Sequence, residues 1–136
     1  MSDLSGKSIL VVEDEEDVSQ FLKMALEDAG CRVRVAADGG QALAALQEER
    51  PDAITLDLIM PSKTGIGLYG DLRRSTSEYK DIPIVVITGV DRNTKGTISF
   101  KDLFDHKKSV AKPDAYLVKP VNAKELIEAV KSALPK

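Results

Sequence analysis

The sequence has few of the residues that covalent cross-links or structural metal sites need. Its 136 residues include one cysteine, Cys31, one histidine, His106, and no tryptophan. A single cysteine cannot form an internal disulfide, and neither residue has the companions of a zinc site. We therefore expect Cys31, which opens an apolar stretch, to be a small buried hydrophobe. His106 stands among charged residues and is expected to be solvated.

Long hydrophobic runs and a strong charge of one sign are also missing. No apolar run approaches the ~20 residues that a membrane-spanning helix needs, and the N-terminus lacks the basic-then-apolar order of a signal peptide. The net charge of −3 argues against direct binding of nucleic acid. A composition of 43% hydrophobic and 30% charged residues is typical of a soluble globular protein. We expect one domain over residues 1–136, in the cytoplasm by default.

Apolar runs and helical patterns alternate along the chain. Strands are predicted where β-branched runs are bounded by turn formers, and helices where apolar residues recur at three- and four-residue spacing. The predicted strands cover residues 7–12, 31–36, a run ending at 57, 82–87 and 115–118. The predicted helices cover residues 15–29, 41–49, 65–75, a short segment near 99–107 and a last segment opened by Asn122, with Glu125 completing a capping box.

This order predicts an α/β fold with a five-stranded parallel sheet. Because right-handed crossovers force helices onto the sheet, we expect helices on both faces and strand order 2-1-3-4-5, the flavodoxin-like arrangement. Arg32 and Arg34 alternate with Val33 and Val35, which indicates that the second strand lies at the sheet edge. In such sheets, ligands bind outside the carboxyl ends of the strands.

Polar side chains stand at the carboxyl ends of four predicted strands. Glu13 and Asp14 follow the first strand, Asp57 ends the third, Thr88 the fourth, and Lys119 follows the fifth. Three carboxylates at close quarters repel one another unless a cation lies among them, and such oxygen ligands suit Mg²⁺. Asp57 beside this ion can act as a nucleophile towards phosphorus, while the Thr88 hydroxyl and the Lys119 ammonium neutralise the transferred oxygens.

Three further acids, Glu15, Glu16 and Asp17, have a structural interpretation as the acidic first turn of the first helix, which the helix dipole favours. The glycine pattern from Gly65 to Gly70 matches a dinucleotide-binding fingerprint. That fingerprint requires the glycines directly after a strand, and seven residues intervene after Asp57, so we interpret the match as coincidental.

Four motifs, taken in this order, resemble the receiver domain of two-component response regulators over essentially the whole chain. They are Glu13-Asp14, Leu56-Asp57-Leu58-Ile59-Met60-Pro61, Thr88-Gly89 and Tyr116-Leu117-Val118-Lys119-Pro120. The resemblance implies that Asp57 accepts a phosphoryl group. It also implies that Asp14, Asp57 and the backbone carbonyl of Ile59 bind Mg²⁺ directly, while Glu13 binds it through water.

The same resemblance implies roles for the other strand ends. Thr88 and Lys119 would hold the phosphoryl group, and the Lys119-Pro120 peptide bond would be cis. Tyr116 would be a switch residue that moves inward with Thr88 and reshapes the face formed by the helix before the fifth strand, that strand and the last helix.

The chain departs from the family pattern in several places. Glu13 replaces the commoner aspartate, Gly89 replaces an alanine, and the interval between Thr88 and Lys119 is longer than usual. Ile59 and Val90, each two residues past a site residue, are apolar at positions that affect dephosphorylation in this family. Neither side chain can orient an attacking water, so we predict a long-lived phosphoryl group.

The chain is therefore similar to stand-alone, chemotaxis-regulator-like receivers. This implies a phosphoryl group taken from a sensor histidine kinase or histidine phosphotransfer protein, a downstream protein target, and no enzymatic activity beyond its own phosphorylation and dephosphorylation. One alternative is a receiver-fold interaction module that works without phosphorylation. Another is a phosphatase with an aspartyl nucleophile, but Ile59 stands where its second carboxylate would be.

Overall fold

The computed structural model describes residues 4–57, 65–74, 77–88 and 114–135. Within these residues, five strands and four helices follow one another along the chain. They are β1 (Ser8–Val12), α1 (Glu16–Asp28), β2 (Arg32–Ala36), α2 (Gly39–Glu48), β3 (Ala53–Asp57), α3 (Gly65–Leu72), β4 (Ile84–Thr88), β5 (Ala115–Val118) and α4 (Ala123–Ala133). The helix predicted near residues 99–107 lies outside the described residues, as do His106, Ile59, Gly89 and Val90.

The strands form one parallel sheet in the order β2-β1-β3-β4-β5, which confirms the predicted topology. Strand β2 lies at one edge, as its alternating sequence indicated. In the register of the sheet, Val12 pairs with Leu56, and Thr88 pairs with Val118. The ends of β1, β3, β4 and β5 therefore meet along one side of the sheet, which we call the carboxyl edge.

Hydrophobic clusters cover both faces of the sheet. Leu10 and Val12 of β1 join a cluster with α2 and α3, whereas Ile9 and Val11 join another with α1 and α4. Every residue of β1 and β3 is buried. Burial on both faces removes the usual polar alternation, which explains why these strands are mostly apolar in the sequence. Cys31 is buried with a free thiol, as predicted.

Two helix starts depend on side-chain caps. Asp38 Oδ1 accepts the Gln41 N–H at 2.8 Å, and α2 begins at Gly39, two residues before the predicted start. The prediction was wrong because this cap outweighs the low helix propensity of two glycines. At α4, Asn122 Oδ1 accepts the Glu125 N–H at 2.8 Å, and Glu125 accepts in return from the Asn122 side-chain amide. The predicted reciprocal cap is present, but Glu125 accepts its hydrogen bond from the side chain of Asn122 and not from the backbone N–H of Asn122.

Helix α3 is shorter than predicted and ends at Leu72. The glycines of the dinucleotide-like pattern lie inside this helix, not in a turn directly after a strand, which agrees with our interpretation of that pattern. Within the described residues, no helix is both long and apolar enough to span a bilayer.

Arg73, which follows α3, connects three segments at the amino ends of the strands, opposite the carboxyl edge. Its guanidinium donates to the carbonyls of Lys80 (2.5 Å) and Ile82 (2.7 Å) and to Asp114 Oδ2 (2.6 Å). The same Asp114 oxygen accepts the Ile84 N–H at 2.8 Å. The Arg73 side chain is only 7% exposed. These bonds fix the starts of β4 and β5 against the end of α3.

Candidate functional site

Four carboxylates lie together at the carboxyl edge. Glu13, Asp14, Glu15 and Asp57 each contribute an oxygen, and these four oxygens all lie within 4.8 Å of one another. Glu13 and Asp14 follow β1, Glu15 immediately precedes α1, and Asp57 is the last residue of β3. Because β1 and β3 are parallel neighbours, their ends bring these acids to one place.

The four acids differ in their exposure to solvent. Glu13 and Asp57 are buried, Asp14 is half-buried and Glu15 is exposed. The cluster therefore has a buried inner side formed by Glu13 and Asp57 and an outer side open to water. A ligand can reach the carboxylates from the side of Asp14 and Glu15.

Lys119 brings a positive charge into the cluster from β5. Its Nζ lies 2.8 Å from Glu13 Oε1, 3.3 Å from Glu15 Oε1 and 3.4 Å from Asp57 Oδ2. The side chain is mostly buried, at 17% exposure. Lys119 precedes Pro120 through a cis peptide bond, as the family resemblance implied.

Burial and charge change the pKa values of two groups in this cluster. The pKa of Glu13 is raised to about 7, chiefly by burial; contact with Lys119 opposes this rise, the nearby Asp57 adds to it, and the Glu15 N–H opposes it. Burial alone would lower the pKa of Lys119. The contact with Glu13 and the charges of Asp57 and Glu13 outweigh this effect, so the pKa of Lys119 lies above its usual value. Lys119 is therefore a cation at neutral pH.

The donor set fits a hard divalent cation such as Mg²⁺. Such ions prefer carboxylate, carbonyl and water oxygens, and four carboxylates within 4.8 Å provide the first kind. Glu13 Oε2 accepts the Glu15 N–H at 3.2 Å. The buried Glu13 Oε1 is paired with the Lys119 ammonium, whose Nζ lies 2.8 Å away. One ammonium group cannot balance four ionised carboxylates, so an additional positive ligand would stabilise the cluster.

The structure brings together the predicted residues Glu13, Asp14, Asp57 and Lys119. The backbone of Thr88 ends β4 at the same edge, paired with Val118 next to Lys119. Tyr116 lies on the outermost strand β5 and is 46% exposed. The Ile59 carbonyl, predicted as a metal ligand, lies outside the described residues. The chemical roles assigned to all these residues stay predictions.

Glu15 is the site residue that sequence reasoning missed. We interpreted it, with Glu16 and Asp17, as part of a helix first turn, and that is where Glu16 and Asp17 lie. Glu15 instead occupies the N-cap position with extended backbone, makes no side-chain capping bond, and contacts Lys119. The available signal was its position directly after Glu13-Asp14, in the loop between β1 and α1.

Comparisons with known proteins agree with this geometry. The chain is 34% identical over 136 residues to the "Probable transcriptional regulator ycf27" of Cyanophora paradoxa, covering 97% of this chain and 50% of that protein. It is 31% identical over 132 residues to the "DNA-binding response regulator MtrA" of Mycolicibacterium smegmatis, covering 97% and 52%. The chain thus spans about half the length of these curated relatives.

Solved structures give the same result for the fold. The chemotaxis response regulator CheY4 of Vibrio cholerae is 31% identical, with a TM-score of 0.77 over 96% of this chain and 100% of that chain. Residues 9–131 match the family described as the response regulator receiver domain. A match over nearly the whole chain, together with the shared sheet topology, shows that this protein belongs to the receiver-domain family of two-component response regulators.

Proposed function

We propose that this receiver domain accepts a phosphoryl group on Asp57 from a phosphohistidine of a sensor histidine kinase or a histidine phosphotransfer protein. The observation that supports this function best is the environment of Asp57. Its carboxylate is buried at the end of β3, lies in one cluster with three other carboxylates, and is 3.4 Å from the Lys119 ammonium. A buried nucleophile beside a fixed cation suits transfer of an anionic group.

The transfer exchanges one bond to phosphorus for another. A carboxylate oxygen of Asp57 forms a bond to phosphorus as the bond between phosphorus and the imidazole nitrogen breaks. The electron pair of the broken bond stays on that nitrogen, which leaves as imidazole. Lys119 is close enough to Asp57 to compensate the charge of the transferred oxygens, and Thr88 is proposed to supply a second donor.

Mg²⁺ is the proposed cofactor. Glu13, Asp14 and Asp57 would hold it, with the Ile59 carbonyl as a further ligand and Glu13 acting through water. When bound, the ion supplies charge neutralisation between the attacking carboxylate and the phosphoryl oxygens. The buried Glu13 and Asp57 keep their side of the site free of bulk water, so the attacking group is poorly hydrated.

The proposed output is a change in a surface read by another protein. Tyr116 and Val118 on β5 are large hydrophobic residues exposed at the sheet edge. We propose that Tyr116 moves with Thr88 when Asp57 is phosphorylated and that a downstream protein binds the altered face. The domain itself is proposed to work in the cytoplasm, without contacting nucleic acid and without acting on any substrate besides its own aspartyl phosphate.

The test is incubation with acetyl phosphate and Mg²⁺, followed by intact mass measurement. We expect one phosphoryl adduct on the wild-type chain and none on Asp57→Asn, which keeps the shape of the side chain but removes the nucleophilic oxygen. Chelation of Mg²⁺ should also prevent labelling. Absence of an adduct on the wild type would refute phosphorylation and favour the interaction-module alternative. Continuous release of phosphate would indicate a phosphatase.

A further inference from the structure

Strand β5 carries Tyr116 and leads directly into Lys119, but apolar packing contributes little to its position. Its residues alternate between half-buried and exposed, whereas every residue of β1 and β3 is buried. Within the described residues, β5 lies at the edge of the sheet and pairs with β4 alone. Because a strand with little buried surface gains little from the hydrophobic effect, polar contacts at its two ends have a large share in fixing its position.

Asp114 fixes the amino end of β5. Its backbone N–H donates to the Ile84 carbonyl at 3.1 Å, and its carboxylate Oδ2 accepts the Ile84 N–H at 2.8 Å. The same carboxylate oxygen accepts a hydrogen bond from Arg73 Nη2 at 2.6 Å. Charge-assisted hydrogen bonds are among the stronger polar contacts in proteins. The start of β5 is therefore tied both to β4 and to the residue that follows α3.

Arg73 is itself held by several partners. Its guanidinium also donates to the backbone carbonyls of Lys80 and Ile82, and it lies 5.7 Å from the centre of the Tyr69 ring. The side chains of Arg73 and Tyr69 are both buried. Because the planar guanidinium presents its donors in a fixed arrangement, these contacts together restrict it to one position. Arg73 thus gives Asp114 a fixed donor.

Lys119 holds the chain at the carboxyl end of β5. Its ammonium lies within 3.4 Å of carboxylate oxygens of Glu13, Glu15 and Asp57. A strand is extended and rises about 3.3 Å per residue, so the position of Asp114 determines how far Lys119 reaches into the carboxylate cluster. A slip of β5 by one residue would move Lys119 by about this rise of 3.3 Å and turn every side chain of the strand to the opposite face.

We propose that Arg73 is a positioning residue that acts through Asp114 and β5 to hold the Lys119 ammonium against the carboxylates at the carboxyl edge. This inference rests on the proposed function. The Lys119 ammonium acts with opposite sign on the two ligands of the site, because it repels a divalent cation and attracts an anionic phosphoryl group. When Lys119 is held less firmly, Mg²⁺ should therefore bind more tightly and a phosphoryl mimic less tightly.

The test measures both affinities by calorimetry in the wild type, Arg73→Ala and Asp114→Ala. The Asp114 side chain is 40% exposed, so its truncation leaves no buried cavity and keeps the test possible if Arg73→Ala folds poorly. Mg²⁺ is titrated first. Beryllofluoride, which mimics a phosphoryl group on a carboxylate, is then titrated with Mg²⁺ at saturation. Weakening one charged contact predicts about two- to tenfold tighter binding of Mg²⁺ and weaker binding of beryllofluoride by a similar factor.

Two control variants separate this role from a general loss of stability. Arg74→Ala changes the neighbouring arginine, which is exposed and pairs with Asp71. Asp38→Ala removes the cap of α2, a helix that packs against β1 and β2. Both controls should bind Mg²⁺ and beryllofluoride like the wild type. A loss of stability alone lowers the fraction of folded protein, which weakens the binding of both ligands and cannot strengthen one of them.

A second readout is the ¹⁵Nζ resonance of Lys119 in the metal-free protein. It should shift in Arg73→Ala and Asp114→Ala and stay unchanged in Arg74→Ala. If the wild type binds beryllofluoride but Arg73→Ala and Asp114→Ala bind both ligands less tightly or like the wild type, the positioning role is refuted and the proposed function stands. If the wild type binds no beryllofluoride and accepts no phosphoryl group, the proposed function is refuted, and the Mg²⁺ affinities and the Lys119 resonance decide the positioning role.

Discussion

The raised pKa of Glu13 predicts an unusual dependence of stability on pH. Its pKa increases from 4.5 to about 7 in the folded, metal-free protein, chiefly because the carboxyl group is buried. Between these values the folded chain retains a proton on Glu13 that the unfolded chain has already released. The free energy of unfolding therefore falls as pH rises through this window and stays lower above it. Most carboxylates that are paired in folded proteins have lowered pKa values instead, so they make the free energy of unfolding increase as pH rises.

The size of this effect follows from the shift itself. One pKa unit corresponds to about 1.4 kcal/mol, so the Glu13 shift lowers the free energy of unfolding by about 3 kcal/mol between pH 4.5 and pH 8. The total free energy of unfolding of a typical domain is about 5–15 kcal/mol, so a change of this size is measurable. Lys119, whose pKa is raised, contributes stability that is present below its unfolded pKa and lost only as pH rises through its higher folded pKa. It does not titrate in this window.

Urea unfolding of the metal-free protein, followed by circular dichroism at several values between pH 4.5 and 8, measures the effect. Glu13→Gln replaces the titrating group with a neutral one of similar shape, and its free energy of unfolding should lack the 3 kcal/mol decrease. Glu16→Gln controls for removal of an acidic charge near α1. Mg²⁺ should stabilise the wild type more at pH 8 than at pH 5, because it favours ionised Glu13. Parallel pH profiles for wild type and Glu13→Gln would refute the reasoning.

Three other measurements test separate features. Arg73→Ala should lower the free energy of unfolding by about 2–3 kcal/mol, because it leaves two carbonyls and a carboxylate without their buried donor. Arg74→Ala, which breaks an exposed ion pair with Asp71, should change it by less than about 1 kcal/mol, and equal losses would contradict the role of Arg73. Asn122→Ala should destabilise α4 by about 1 kcal/mol in thermal or urea unfolding, and no change would argue against its cap. Because Ile59 and Val90 are apolar, the phosphoryl adduct should persist for minutes in repeated mass measurements; decay within seconds would contradict this prediction.

Each part of the fold that the sequence predicted correctly can be traced to one physical cause. Residues 53–56 are mostly apolar because both faces of β3 are covered, and Asp57 marks the point where the strand leaves the sheet. The alternating residues of β2 indicated an edge strand, and β2 is less buried than β1 and β3, with Arg32 and Val35 exposed. Once strand order and direction were known, the meeting of Glu13, Asp57 and Lys119 followed, since the ends of parallel strands share one edge.

The parts that were not predictable depend on side-chain direction and on contacts distant in sequence. Glu15 and Glu16 are adjacent acids of the same kind, and only the extended backbone at Glu15 turns its side chain towards Lys119. Arg73 and Asp114 are separated by 41 positions, and neither carries a motif that predicts their ion pair. The raised pKa of Glu13 also depends on packing that the sequence pattern does not specify.

The charge balance of the site connects these features. When all four carboxylates are ionised, they face one ammonium group, so the cluster carries a formal charge of −3. A divalent cation would reduce this to −1, which explains why the acids can gather there only if Glu13 holds a proton or a cation binds. Phosphorylation replaces the single charge of Asp57 with about two and makes the site more negative again. A carboxylate that can move into water reduces that repulsion, and of the three acids paired with Lys119, Glu15 alone is exposed enough to do so.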